Sequence, residues 1–184
     1  AEFGKGDALD LSAFVPAKTN GKYFSKWYIL DSEAQVDLPA TIEENMTVYC
    51  EWVDTPPYTI TTSSPNKFTY ADGVWTSGNK GVNNSTSSFK ITANADITVT
   101  FQYFCESENA EKWDWLSIQK NGTQIYNDGG EKSGNIVYSE VVTVELKAGD
   151  TLEFIYKKDS TTSKGLDCAM IKDLAISGTA VTEM

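Results

Sequence analysis

The sequence predicts an all-β protein, an antiparallel β-sandwich preceded by a small β module. Three observations carry this. Short β-branched and aromatic runs are punctuated by Gly, Asn and Asp, as strands and turns require. Strict apolar–polar alternation recurs in the second half of the chain, and helical periodicity is weak throughout. Aromatics reach 12% and hydrophobic residues 40%, enough to fill a core. At 184 residues the chain has room for one domain plus a small companion. Asp54-Thr55-Pro56-Pro57 breaks the apolar pattern, which sets the expected units at 1–54 and 55–184.

The N-terminal unit contains Gly21-Lys22-Tyr23-Phe24-Ser25-Lys26-Trp27-Tyr28. It continues with Ala40-Thr41-Ile42-Glu43-Glu44-Asn45-Met46-Thr47-Val48-Tyr49-Cys50-Glu51-Trp52. These runs resemble the Listeria–Bacteroides repeat of the internalin B-repeat type, marked by an F-x-x-W-Y strand and an N-x-T-L-Y-A-x-W strand. Met46 stands between Asn45 and Thr47, Val48 takes the Leu position and Cys50 the Ala position. The match covers about residues 20–53, and residues 8–16 match the family's first strand poorly. The resemblance implies a β-grasp-like fold, a spacer or adhesion role, and an extracellular setting on a Gram-positive bacterium. It also makes Trp27 and Trp52 the core of the small module.

In the C-terminal unit the expected strands are, in order, 67–71, 87–93, 96–105, 113–120, 123–127, 137–146, 151–157 and 167–176. In 96–105, Ile97, Val99, Phe101 and Tyr103 share one face, with Thr98, Thr100 and Gln102 on the other. Val142, Val144 and Leu146 alternate in the same way, as do Leu152, Phe154 and Tyr156. Such strands suit a sandwich with one buried face per sheet. Between them stand Ser107-Glu108, Trp113-Asp114-Trp115-Leu116, Asn121-Gly122, Ala148-Gly149-Asp150, Lys158-Asp159-Ser160 and Gly165-Leu166-Asp167-Cys168-Ala169. That order resembles CUB-like and jelly-roll binding modules of large Gram-positive surface proteins and polysaccharide-degrading systems. With the repeat before it, the architecture resembles scaffold and starch-adherence proteins of gut Firmicutes.

Asn121-Gly122 is a preferred two-residue type I′ turn. A tight hairpin pairs Lys120 with Thr123, Gln119 with Gln124, Ile118 with Ile125 and Ser117 with Tyr126. Leu116, Ile118 and Ile125 then face the core, and Trp113, Trp115, Ser117, Gln119, Gln124 and Tyr126 face outward. An aromatic strip edged by amides suits a sugar ring, whose C–H face stacks on indole while amides bond its hydroxyls. The other reading is that this face packs against a second module or strand. Trp75 is either core or part of a binding loop in the polar segment 73–84.

Glu108, Asp114 and Asp159 resemble the carboxylate trio that holds Ca²⁺ in many CUB modules, which implies a structural Ca²⁺ site. The rival reading has Asp114 and Asp167 bonding loop backbone, with Lys112, Lys157 and Lys158 pairing at the surface. The three cysteines fit no zinc spacing. Cys105 and Cys168 fall on neighbouring core strands, either as buried thiols or as a bridge.

All fifteen cations are Lys, against 26 acids, for a net charge of −11, and His is absent. This excludes His-dependent general-base chemistry and His metal ligation, and argues against anionic nucleic acid as a partner. No apolar run approaches a membrane span. Function is therefore expected to be non-catalytic capture of a neutral polysaccharide, starch-type α-glucan first, by a secreted or cell-surface protein. The chain is expected to act as a monomer within a larger multi-module protein. The alternative is a structural stalk or protein-adhesion module.

Overall fold

The structure is a computed structural model, which describes residues 5–9, 11, 14, 21–31, 34–41, 47–108 and 113–184. It divides into two compact units, Ala1–Pro57 and Tyr58–Met184. Strands in antiparallel sheets form both units, with no helix among the described residues.

In the first unit, strands β1 (Ala8–Leu9), β2 (Tyr23–Asp31), β3 (Ala34–Asp37), β4 (Ala40–Thr41) and β5 (Val48–Val53) form two sheets. β2 lies between β3 and β5, and β1 pairs with β4. The register places Trp27 opposite Cys50 and Phe24 opposite Trp52. The Phe24 ring lies 5.4 Å from Trp27 and 6.3 Å from Trp52, so Phe24 packs against both indoles. The Trp27 indole N–H donates to the Phe14 carbonyl at 2.8 Å. Residues 10, 12, 13 and 15–20 lie outside the described residues, and with them most of segment 8–16, which matches the repeat's first strand poorly.

The second unit contains β6 (Tyr58–Thr62), β7 (Thr69–Ala71), β8 (Val74–Thr76), β9 (Thr86–Ala93), β10 (Ile97–Glu106), β11 (Trp115–Lys120), β12 (Thr123–Gly129), β13 (Val142–Leu146), β14 (Thr151–Lys157), β15 (Cys168–Ile176) and β16 (Thr179–Ala180). One sheet runs β12-β11-β14-β9-β6 and the facing one β13-β10-β15-β8-β7, with β16 on β15. The chain changes sheets between β6 and β7, β8 and β9, β9 and β10, β10 and β11, β12 and β13, β13 and β14, and β14 and β15. This is the wrapped path of a jelly roll.

The alternation read from the sequence is the burial pattern observed in β9, β13 and β14. In β10 it holds to Phe101, after which an irregularity in the pairing with β15 between Thr100 and Gln102 leaves Tyr103 half-buried and buries Phe104 instead. In β14, Leu152, Phe154 and Tyr156 are fully buried, as are Phe89 and Ile91 of β9 and Val99 and Phe101 of β10. Phe154 stacks on Phe89 at 4.5 Å and meets the edge of Phe101 from the other sheet at 4.9 Å. Truncating such a ring costs about 3–5 kcal/mol, so these rings anchor the two layers.

Three expectations are corrected. A β-bulge between Ile118 and Gln119 places Ile118 opposite Tyr126 and Ser117 opposite Asn127, although Gln119–Gln124 and Lys120–Thr123 pair as expected. The extra residue, Ile125, is exposed and not core. Tyr126 turns towards the facing sheet, its ring 5.8 Å from Tyr103, and does not share the Trp115 face. Trp75 is 3% exposed, its indole N–H donating to the Val181 carbonyl at 2.9 Å, so it is core and no binding-loop residue. The strand expected over 137–146 begins at Val142, because Ser139 bonds the edge of β10 irregularly: its N–H donates to the Tyr103 carbonyl, and its hydroxyl accepts the Tyr103 N–H.

One buried acid ties distant loops together. Glu106 is 1% exposed and accepts the N–H groups of Lys132 and Gly134 on Oε1 and of Leu166 on Oε2. A Cβ on Gly165 (φ +61°) would lie 2.6 Å from the Glu106 Cδ, so the close approach requires glycine. Cys105 and Cys168 are free thiols. Burial pushes Cys105 upward and Cys168 up to about 11, so neither is poised as a nucleophile.

Candidate functional site

Trp115, Lys157 and Thr86 form one cross-strand row at an end of the five-stranded sheet. Beside that row opens a cleft of about 510 Å³, lined by Asn84, Ser85, Thr86, Trp113, Trp115, Lys157, Lys158, Asp159 and Ser160. Its size falls within the roughly 300–1,000 Å³ typical of small-ligand sites. Trp113 is 52% exposed and Trp115 half-buried, so both indoles can offer a ring face to a ligand.

Two segments distant in sequence form the polar walls. Asn84 donates its backbone N–H to the Asp159 carbonyl, and Asn83 Nδ2 donates to the Ser160 carbonyl at 3.3 Å. Gln119 and Gln124 lie further along the outer face, outside the cleft. Gln119 Nε2 donates to Ser117 Oγ, whose hydroxyl donates to Gln124 Oε1. The two amides are thus already bonded to each other through Ser117.

Behind the cleft lies a buried polar group. The period-two pattern of β14 continues past Tyr156 to Lys158, whose amine therefore points inward. It is neutralised by Asp114 Oδ2 at 2.6 Å and by Asp167 Oδ1, and it also donates to Ser163 Oγ at 3.2 Å. Asp114 Oδ1 accepts the Asp159 N–H at 2.8 Å, and Asp167 Oδ2 accepts the Gly81 N–H at 2.6 Å. The Tyr156 hydroxyl donates to Asp167 Oδ1 at 3.1 Å. Surface pairing of Lys158 is thus overturned, because its 2% exposure makes this an interior ion pair. Lys112 lies outside the described residues.

Glu108, Asp114 and Asp159 each bring one carboxylate oxygen within 4.8 Å of the others. Oxygens on opposite sides of a Ca²⁺ ion, each at about 2.3–2.6 Å from it, would have this spacing. The donor set is hard oxygen, and Asp114 Oδ1 retains a lone pair beside its bond from Asp159. Burial, followed by the charges of Asp159 and Asp114, holds the Glu108 carboxyl above its ordinary range. A cation would relieve that repulsion, so these residues fit the ion.

Of the residues read from the sequence, Trp113, Trp115 and Asp159 come together in the cleft, and Glu108 and Asp114 join Asp159. Tyr126, Gln119, Gln124 and Trp75 lie outside it. Ser85, Thr86, Lys157, Lys158 and Ser160 were missed as lining residues, whereas Asn84 ends the polar segment 73–84 read as a possible binding loop. Only Lys158 left a signal, since the inward positions 152, 154 and 156 lead to it.

No protein-family model and no curated protein matches the chain. Among solved structures it is similar to the secreted serine protease VesC from Vibrio cholerae, at 11% identity and TM-score 0.50, over 65% of this chain and 24% of that one. The chain thus spans about a quarter of the protease's length, and the likeness is one of fold. A family 35 carbohydrate binding module from an environmental isolate aligns at 14% identity and TM-score 0.32, over 70% of this chain and 93% of that one. TmCBM61, solved in complex with beta-1,4-galactotriose, aligns at 10% identity and TM-score 0.24, over 65% and 87%. Fold and site together define an antiparallel β-sandwich module with an aromatic cleft at one end.

Proposed function

We propose that this chain is a non-catalytic polysaccharide-binding module, carried by a secreted or cell-surface protein of a Gram-positive bacterium behind a repeat-type spacer. The observation that supports this is the cleft, where two accessible indoles stand among amide, hydroxyl and carboxylate groups. Indole faces can stack on pyranose C–H faces while the polar walls bond ring hydroxyls in both directions. A net charge of −11 favours a neutral glycan over a sulfated or uronic one. Starch-type α-glucan is the first candidate, on the architecture the sequence resembles.

Titration with soluble amylose, cellulose and xylan, followed by tryptophan fluorescence, tests the reading. A saturable change with amylose is expected, and Trp115→Ala should weaken it by about 1–3 kcal/mol, the scale of aromatic hot spots. No response to any polysaccharide would favour the stalk or adhesion alternative.

A Ca²⁺ ion held by Glu108, Asp114 and Asp159 would brace the loops behind the cleft by neutralising their charge. A ligand of the folded state raises the melting temperature by mass action. Millimolar Ca²⁺ should therefore raise it relative to chelator, and the rise should vanish in Glu108→Gln. Superimposable melting curves would dismiss the ion.

A further inference from the structure

The buried contact of Lys158 with Asp167, beside Asp114, is one for which glycan binding supplies no role. We propose that Lys158 and Asp167 condense into an intramolecular isopeptide bond, with Asp114 as the proton carrier. The bond would tie the two sheets covalently, since Lys158 directly follows β14 of one sheet and Asp167 directly precedes β15 of the other.

The reactants are in contact and dry. The side chains of Lys158 and Asp114 are 0% exposed and that of Asp167 is 3% exposed. One ammonium faces two carboxylates, and charges held out of water are costly even when paired. Turning one ion pair into a neutral amide removes two of those charges. In water an amine and an acid condense poorly, but groups held in contact reach effective molarities of about 10⁵–10⁸ M.

The surrounding bonds suit each step. The Gly81 N–H on Asp167 Oδ2 is placed to hold the negative charge that develops there when Cγ becomes tetrahedral. The Asp159 N–H fixes Asp114 through Oδ1 and leaves Oδ2 facing the amine. One ammonium proton passes to Asp167 Oδ1, and the freed amine forms the Nζ–Cγ bond. Asp114 takes a second nitrogen proton and returns it to Asp167 Oδ1. The Cγ–Oδ1 bond then breaks, one water leaves, and Asp114 ends as it began. Nothing is oxidised or reduced.

Intact mass spectrometry of the purified full chain should read the sequence mass less one water. Tryptic digestion should leave Lys158 uncleaved, and fragment sequencing should find segments 158–164 and 165–172 joined through Lys158 and Asp167. Lys158→Met and Asp167→Ala should each restore the mass expected from sequence. Asp114→Asn, which keeps both reactants, should do the same. A wild-type chain at full sequence mass, cleaved after Lys158, would overturn the bond, as would a water loss confined to a peptide lacking Lys158. A bond that persists in Asp114→Asn would overturn the role given to Asp114.

Discussion

Three backbone N–H groups converge on the Glu106 carboxylate, with that of Gly134 contributing most to holding its pKa below the usual glutamate range. A carboxylate can accept all three, whereas a Gln amide turns its NH₂ towards at least one donor. Glu106→Gln should therefore lower stability at neutral pH by about 1–3 kcal/mol, the penalty for an unsatisfied buried group. Because the folded pKa is depressed, the wild-type advantage is complete above the ordinary value of about 4.3 and disappears as pH falls through the lowered one. Urea unfolding of both proteins across acid pH checks this: a gap that widens on acidification would contradict it.

At the scale of elements, the bulge in the β11–β12 hairpin decides which side chains reach the core. Ile118→Ala should cost about 2–5 kcal/mol, the range for a buried aliphatic. Ile125→Ala should fall within about 0.5 kcal/mol of wild type, as surface changes do. Equal losses in urea unfolding would restore the unbulged register. The sequence carried the strands themselves: β9, β10, β14 and β15 lie within a residue of their expected bounds. β8 and β16, three and two residues long, are too short to show a period, and β6 follows directly on the prolines taken as a break. The bulge was invisible because Asn121-Gly122 specifies the turn, while the extra residue, Ile125, sits beyond it, next to the Tyr126 ring that packs near Tyr103. Asn84–Thr86 and Lys157–Ser160 became neighbours only through sheet pairing, so a local reading could supply the indoles of the cleft but not its walls. Lys158 was hidden for another reason: in the run Lys157-Lys158-Asp159, charge suggests solvent while strand period points inward.

The whole molecule carries its negative charge unevenly in consequence. Among the described residues, the acids Asp114, Asp167 and Glu106 are interior, each satisfied by groups from segments remote in sequence. The path of the chain has a kinetic consequence. Most connections of the sandwich swap sheets, and the Trp75 indole finds its acceptor 106 residues away, at Val181. Few stabilising contacts can therefore form before large loops have closed, and the entropy of closing them must be met first. The sandwich should fold on the milliseconds-to-seconds scale of high-contact-order β proteins, measurable by stopped-flow tryptophan fluorescence. Complete refolding in microseconds would mean that the wrapped topology is not what limits the rate.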